Sequence, residues 1–175
     1  MSSCEAVPRL PDILAPNLQV LFVGINPGMR SATVGHHYAG HGNRFWALLY
    51  ESGLITEPLS WSDDHRVVEW GLGLTNLVTR VTRGVAGLTT NDLETGRRRL
   101  LQVLGCWQPQ AVALVGITVA RQFLDQRGPV PLGRAAQNFD GRPVFVLPNP
   151  SGRNAHYHYN EMLRAFRLVA TKAMR

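Results

Sequence analysis

Leu18-Gln19-Val20-Leu21-Phe22-Val23-Gly24 is an apolar run, rich in β-formers and too short for a buried helix, so it reads as a buried strand. Ala111-Val112-Ala113-Leu114-Val115, ended by Gly116, and Val144-Phe145-Val146-Leu147, ended by Pro148, have the same character. Gly73-Leu74-Thr75-Asn76-Leu77-Val78 is a weaker fourth strand. Helical spacing fills the intervals. Asn43 to Ser52 sets Phe45, Leu48 and Leu49 on one face. Thr89 or Thr90 caps a long helix through Leu104, with Leu93, Leu100, Leu101 and Leu104 on its apolar stripe. Shorter helices span Ile117 to Phe123 and about Asn160 to Ala170. Short buried strands alternating with helices predict an α/β fold of three layers, α/β/α, around a central and mostly parallel sheet of four or five strands. In such sheets the site lies in the loops beyond the carboxyl ends of the strands.

The 175 residues fit one domain, 1–175, with 1–11 expected as a loosely ordered amino-terminal segment. A chain of this size buries roughly 70% of its unfolded surface, enough for a real core. Cys4 and Cys106 are too few for a disulfide framework or a four-cysteine metal site, and their scarcity fits a reducing cytoplasm. No apolar run approaches the ~18 residues of a membrane span, and Met1-Ser2-Ser3-Cys4-Glu5 lacks a signal-peptide core. The expected location is therefore cytoplasmic, nucleoid-associated in a bacterium, with no membrane partner.

Charge narrows the chemistry further. Eighteen basic residues against twelve acidic ones give +6; seventeen of the eighteen are arginine, and Lys172 is the only lysine. A Schiff-base mechanism thus has almost no candidate nucleophile. Residues 1–87 carry six basic and seven acidic side chains, and residues 88–175 carry twelve and five. A polyanion lying across one face would account for this split, and so would an ordinary solvated basic surface. Coding bias in a GC-rich genome is a further source of arginine.

Beyond the first strand the chain reads Gly24-Ile25-Asn26-Pro27-Gly28, and beyond the last Pro148-Asn149-Pro150-Ser151-Gly152-Arg153-Asn154. Asn-Pro and Pro-Gly form turns in their own right, but two such loops on strands of one parallel sheet face the same crevice. The glycines fit neither GxGxxG nor GxxxxGK[ST], and Ser151 is outside a GxSxG elbow. His36, His37, His41, His156 and His158 lack an HExxH pattern or an acidic cluster. They read as loop histidines that donate to phosphate or a base, not as zinc ligands.

Gly24-Ile25-Asn26-Pro27-Gly28, then Asn43-Arg44-Phe45-Trp46, then Asn149-Pro150-Ser151-Gly152-Arg153 resemble the mismatch-specific uracil/thymine-DNA glycosylases, a branch of the uracil-DNA glycosylase superfamily. The likeness is colinear from about Asp12 onward and continues through Gly73–Val78 and Gly96-Arg97-Arg98-Arg99-Leu100. It implies a uracil-DNA glycosylase-like fold and a repair enzyme that flips uracil, and other modified pyrimidines, out of G·U mismatched duplex DNA. Hydrolysis of the N-glycosidic bond then leaves an abasic site, with no metal or organic cofactor and a monomeric protein. Two alternatives stay open: a broad uracil glycosylase acting also on A·U and single strands, and a damage-recognition protein that does not cut.

The same resemblance implies roles for individual residues. Asn26 cannot act as a general base at neutral pH, but its amide oxygen can orient a water towards C1′. Backbone N–H groups of the Gly24–Gly28 turn and of Tyr38 would stabilise the pyrimidine oxygens, while Pro27 stiffens the turn. Ile25 belongs to the same base pocket. Tyr38 stands where the family usually has a Phe that stacks on the base, and Ser31 takes the small-residue position beside the pyrimidine C5. Asn43 lies near the site, and Phe45 and Trp46 belong to the core. Asn149 contacts the flipped nucleotide. Gly152-Arg153-Asn154 is the wedge that fills the duplex, with arginine suited to stacking and to the acceptor edge of the widowed guanine. Ser151 holds phosphate. Asp92 has two readings: a capping-box residue with Thr89, or a catalytic carboxylate brought in from the start of the long helix.

Overall fold

The computed structural model describes residues 10–174. Cys4 and most of the segment expected to be loosely ordered lie outside these residues. Of that segment, Leu10 is buried and the Pro11 carbonyl accepts a hydrogen bond from His37 Nε2 at 2.8 Å.

Five strands form one sheet: β1 (Val20–Gly24), β2 (Leu72–Asn76), β3 (Ala111–Val115), β4 (Gly133–Arg134) and β5 (Val144–Leu147). Their order is β2-β1-β3-β5-β4, parallel except for β4, which pairs antiparallel with β5. Every residue of β1, β2, β3 and β5 is buried, because helices cover both faces. The mostly parallel, three-layer α/β/α architecture expected from the four apolar runs is the one found.

Side chains alternate between two cores, as the two-residue strand period requires. Val20, Phe22, Leu74, Ala113 and Phe145 point to one face, covered by α2 (Phe45–Glu51) and α5 (Tyr159–Ala173). Leu21, Val23, Val112, Leu114 and Val146 point to the other, covered by α3 (Thr90–Trp107) and α4 (Ile117–Leu124). Phe45 is fully buried and Trp46 nearly so, which places both in the core as expected.

Three elements have no signature in the sequence. Helix α1 (Met29–Val34) is only six residues long and starts without a side-chain cap. Trp61–Trp70 is a 3-10 helix, whose three-residue turn leaves no 3.6-residue apolar stripe; only Asp64 and Val67 are buried. β4 has two residues, too few to show alternation.

Phe22 is at the centre of the first core, edge-on to Phe45 at 5.6 Å and stacked with Phe166 at 6.3 Å. Phe22→Ala should therefore cost about 3–5 kcal/mol. Urea unfolding is expected to show a lower midpoint with an unchanged slope; a loss under 1 kcal/mol would contradict this packing.

Candidate active site

Four parallel strands place their exits at one end of the sheet, and the loops there enclose a cleft of about 810 Å³. The β1 exit and the β2 exit are joined by backbone bonds beyond the strands, Leu77 N–H to Gly24 O and Val78 N–H to Ile25 O, both 2.8 Å. The two loops singled out in the sequence do meet. Gly24, Ile25, Asn26, Pro27 and Gly28 line the cleft on one side, and Asn149, Ser151 and Arg153 on the other. Ser31, Tyr38 and Asn43 line it as well. Asn154 instead borders an adjoining groove that shares Asn149, Ser151 and Arg153 with the cleft.

Asn26 is half-buried, and its Nδ2 donates to the Arg80 carbonyl at 3.0 Å and to Thr82 Oγ1 at 2.8 Å. Its Oδ1 accepts nothing from the described residues. Pro27 is buried beside it.

Tyr38 reaches the cleft with a left-handed backbone, φ 53°, held by the residues before it. Asp64 of the 3-10 helix accepts from His36 Nδ1 at 2.9 Å and from the His37 backbone N–H at 2.8 Å. Trp46 Nε1 donates to the His37 carbonyl at 3.3 Å. One face of the Tyr38 ring lies on Phe45, with centroids 3.7 Å apart and planes 15° apart. Its hydroxyl is buried without a hydrogen-bond partner, and this burial pushes the phenol above its ordinary range, so it stays neutral. Ser31 Oγ accepts from the Ala39 N–H at 3.0 Å, which leaves the hydroxyl proton to donate.

The second loop is fixed mainly from α2. Arg44 N–H donates to Pro150 O at 2.9 Å, and its guanidinium donates to Ser151 O at 2.8 Å and Asn154 O at 3.1 Å. Gly152 passes so close to the Gly42 turn that a Cβ would lie 2.8 Å from Gly42 O. Asn149 Oδ1 accepts the Ser151 N–H at 3.0 Å, so its Nδ2 remains as a donor. Arg153 is exposed at the rim.

Some expectations need correction. His36 and His37 are tied to Asp64 and Pro11, so they serve the loop's own structure rather than phosphate or a base. His41 Nε2 lies 3.1 Å from Arg30 Nη1, which can only donate, so that nitrogen accepts. Among the described residues no group of three or more His, Cys, Asp or Glu is gathered for a metal.

Asp92, the carboxylate candidate, does not line the cleft. It closes the capping box with Thr89, and its carboxylate is gripped by Arg80 at 3.0 and 2.6 Å. The Arg80 guanidinium, then the Thr89 donors, hold that carboxyl well below the usual range, so it carries no proton to give at neutral pH. The cations at the cleft also come from both halves of the chain: Arg30 and Arg83 from the first, Arg153 from the second. Arg97 and Arg99 of the basic helix turn inward instead, to Phe123 O and to Asp12 with Asn76 O.

Sequence reasoning missed Asn76, Thr82 and the clamp made by Arg44. Asn76 ends the buried β2 strand, is 8% exposed and lines the cleft with a carboxamide that bonds to none of the described residues. Its Oδ1 occupies the space that a Cβ on Gly24 would need, 2.5 Å away. A polar residue closing an apolar strand was the available signal. Nothing in the sequence marks Thr82, whose role depends on a loop folding back over 56 residues.

A family model described as "Uracil DNA glycosylase superfamily" matches residues 11–169. Among solved structures, the solution NMR structure of "a putative Uracil DNA glycosylase from Methanosarcina acetivorans" superposes with a TM-score of 0.62. The two are 19% identical, and the match covers 92% of this chain and 96% of that one; at this identity the likeness is one of fold.

His37 supplies a pH test of the loop. Burial lowers its pKa below the ordinary 6.5, against the opposing pull of its bond to Pro11 O. A base with a depressed folded pKa binds fewer protons folded than unfolded, so its contribution is complete above about pH 6.5 and is lost as pH falls through the folded value. Unfolding free energy should decline between pH 7 and 5, and His37→Gln should flatten that slope. An equal slope in both proteins would assign the effect elsewhere.

Proposed function

Because the chain belongs to the uracil DNA glycosylase superfamily, we propose that this cleft excises uracil from G·U mismatched DNA, in the manner of the mismatch-specific branch, and stops at the abasic site. The observation that carries the reading is the pairing of Asn26 Oδ1, an unused acceptor, with the unbonded Asn76 carboxamide in one cleft. Breaking C1′–N1 leaves the bonding electron pair on the pyrimidine and positive charge on the sugar. A water held by Asn26 Oδ1 attacks C1′ and releases its proton to solvent. No carboxylate among the described residues lines the cleft to take that proton, so the site depends on positioning and on the cationic rim. It is suited to bases that leave the stack easily.

Asn76 offers one donor and one acceptor, the complement of the O4 and N3–H edge of uracil. Tyr38, backed by Phe45, presents its remaining ring face for stacking, and Ser31 sits at the C5 side, where a thymine methyl would crowd. Arg153 fills the vacated stack and meets the widowed guanine. Reading by Asn76 does not involve the opposite base, which favours the second reading, a uracil glycosylase that accepts A·U and single strands too.

Lys172 lies in the last turn of α5, while the first turn of that helix follows the Arg153 loop. The helix separates them by about 20 Å, at ~1.5 Å per residue. Imine chemistry from this lysine is thus remote from the cleft, consistent with a monofunctional enzyme.

Single-turnover rates on G·U, A·U, G·T and single-stranded U oligonucleotides test the proposal, with fastest excision expected on G·U. Equal rates on G·U, A·U and single strands would favour the broad enzyme. Tight duplex binding without alkali-labile sites would favour a damage-recognition protein. Asn26→Ala should lower the rate about 100-fold or more while duplex affinity stays within about twofold.

Arg153→Ala should slow excision from duplex DNA but not from single-stranded U, where no gap needs filling. It should also reduce the salt dependence of duplex binding by about one charge. Unchanged rates on both substrates would remove Arg153 from the wedge role.

A further inference from the structure

The orientation of the Asn26 carboxamide is dictated by its neighbours. The Arg80 carbonyl can only accept. Thr82 Oγ1 gives its single proton to Gly84 O at 2.7 Å, so towards Asn26 it too can only accept. Both Nδ2 hydrogens must therefore face the 80–84 segment, and Oδ1 is turned away from it.

Thr82 is buried, but the stretch that follows it has little apolar anchorage, since residues 83–87 are all exposed. Arg80 holds it instead. Its Nε and Nη2 take the two oxygens of Asp92 side-on, at 3.0 and 2.6 Å, and Nη2 also donates to Gly87 O at 2.6 Å. Asp92 is fixed in turn at the start of α3: Thr89 N–H and Oγ1 donate to its Oδ2 at 2.7 and 2.8 Å, and its own N–H donates to Thr89 Oγ1 at 3.1 Å. Hydrogen bonds thus run from the first turn of α3 through Asp92 to the Arg80 guanidinium, and from the Arg80 carbonyl to Asn26, with the covalent arginine joining the two.

We propose that Asp92 and Arg80 are positioning residues for the glycosylase reaction: their side-on ion pair fixes the Arg80 carbonyl and the Thr82 hydroxyl, which hold Asn26 Oδ1 towards the reacting centre. The proposal rests on the water-orienting reading of Asn26. It replaces both earlier readings of Asp92, as a reacting carboxylate and as a cap alone. A cap alone would affect the stability of α3 and leave the chemical step unchanged.

Asp92→Asn keeps an oxygen for Thr89 but loses the anionic fork, and Arg80→Lys keeps the charge but loses the planar pair of donors. Each should slow single-turnover uracil excision about tenfold, with duplex affinity within about twofold and the thermal midpoint within about 3 °C of the parent. Because both act through Asn26, neither should slow the residual rate of Asn26→Ala any further. In ¹⁵N spectra the Asn26 carboxamide signals, assigned by their loss in Asn26→Ala, should exchange slowly in the parent and rapidly in both variants.

Parent rates in Asp92→Asn and Arg80→Lys, the same fold-loss in the Asn26→Ala background, or an unchanged Asn26 amide signal would each overturn the proposal. If Asp92→Asn does not fold, Arg80→Lys decides on the same criteria. If the parent excises no uracil from any substrate, the glycosylase reading fails separately, and the amide exchange still decides whether the ion pair holds Asn26.

Discussion

The parallel pairing of β1 with β2 on one side and β3 on the other is the constraint from which the rest of the site follows. It sends β1, β2, β3 and β5 out of the sheet at one end, so loops far apart in the chain converge there. The pairing does not stop at the strand ends. Leu77 and Val78 continue it onto Gly24 and Ile25, which brings the loop after β2 against the Asn26 turn. Without that extension Arg80 and Thr82 would have no reason to lie beside Asn26.

A second set of contacts ties the opposite wall to the first. Arg44 uses its backbone N–H and its guanidinium on carbonyls of the 150–154 turn, joining the start of α2 to the Arg153 loop. Arginine suits this task because a planar group with five donors can serve several carbonyls at once. Several other arginines are likewise spent on internal bonds: Arg80 on Asp92, Arg99 on Asp12, Arg66 on Glu57 and Glu69. The count of eighteen basic residues therefore overstates how many are free to meet a polyanion. What faces the cleft is a smaller group, Arg30, Arg83 and Arg153, drawn from distant parts of the chain.

Strands β1, β3 and β5 were legible as short apolar runs, and their ends at Gly24, Gly116 and Pro148 announced where the loops begin. The Asn26 and Arg153 turns were legible for the same reason. Thr89 and Asp92 were readable as a capping box because that motif is local, three residues apart. His36 and His37 misled because a histidine in a loop looks the same whether it faces solvent or bonds to Asp64 and Pro11.

Local chemistry along the chain thus settled the four buried strands and the longer helices, the α/β class, and the two turns that bear Asn26 and Arg153. These depend on hydrophobic periodicity and turn formers, which act over a few residues. Which way the Asn26 amide points and what Arg44 holds were settled by contacts across 54 to 110 residues, and the presence of Asn76 in the cleft by sheet order. Hydrogen bonds of that range have no periodic trace, because their partners are chosen by the packed layers and not by neighbours in sequence.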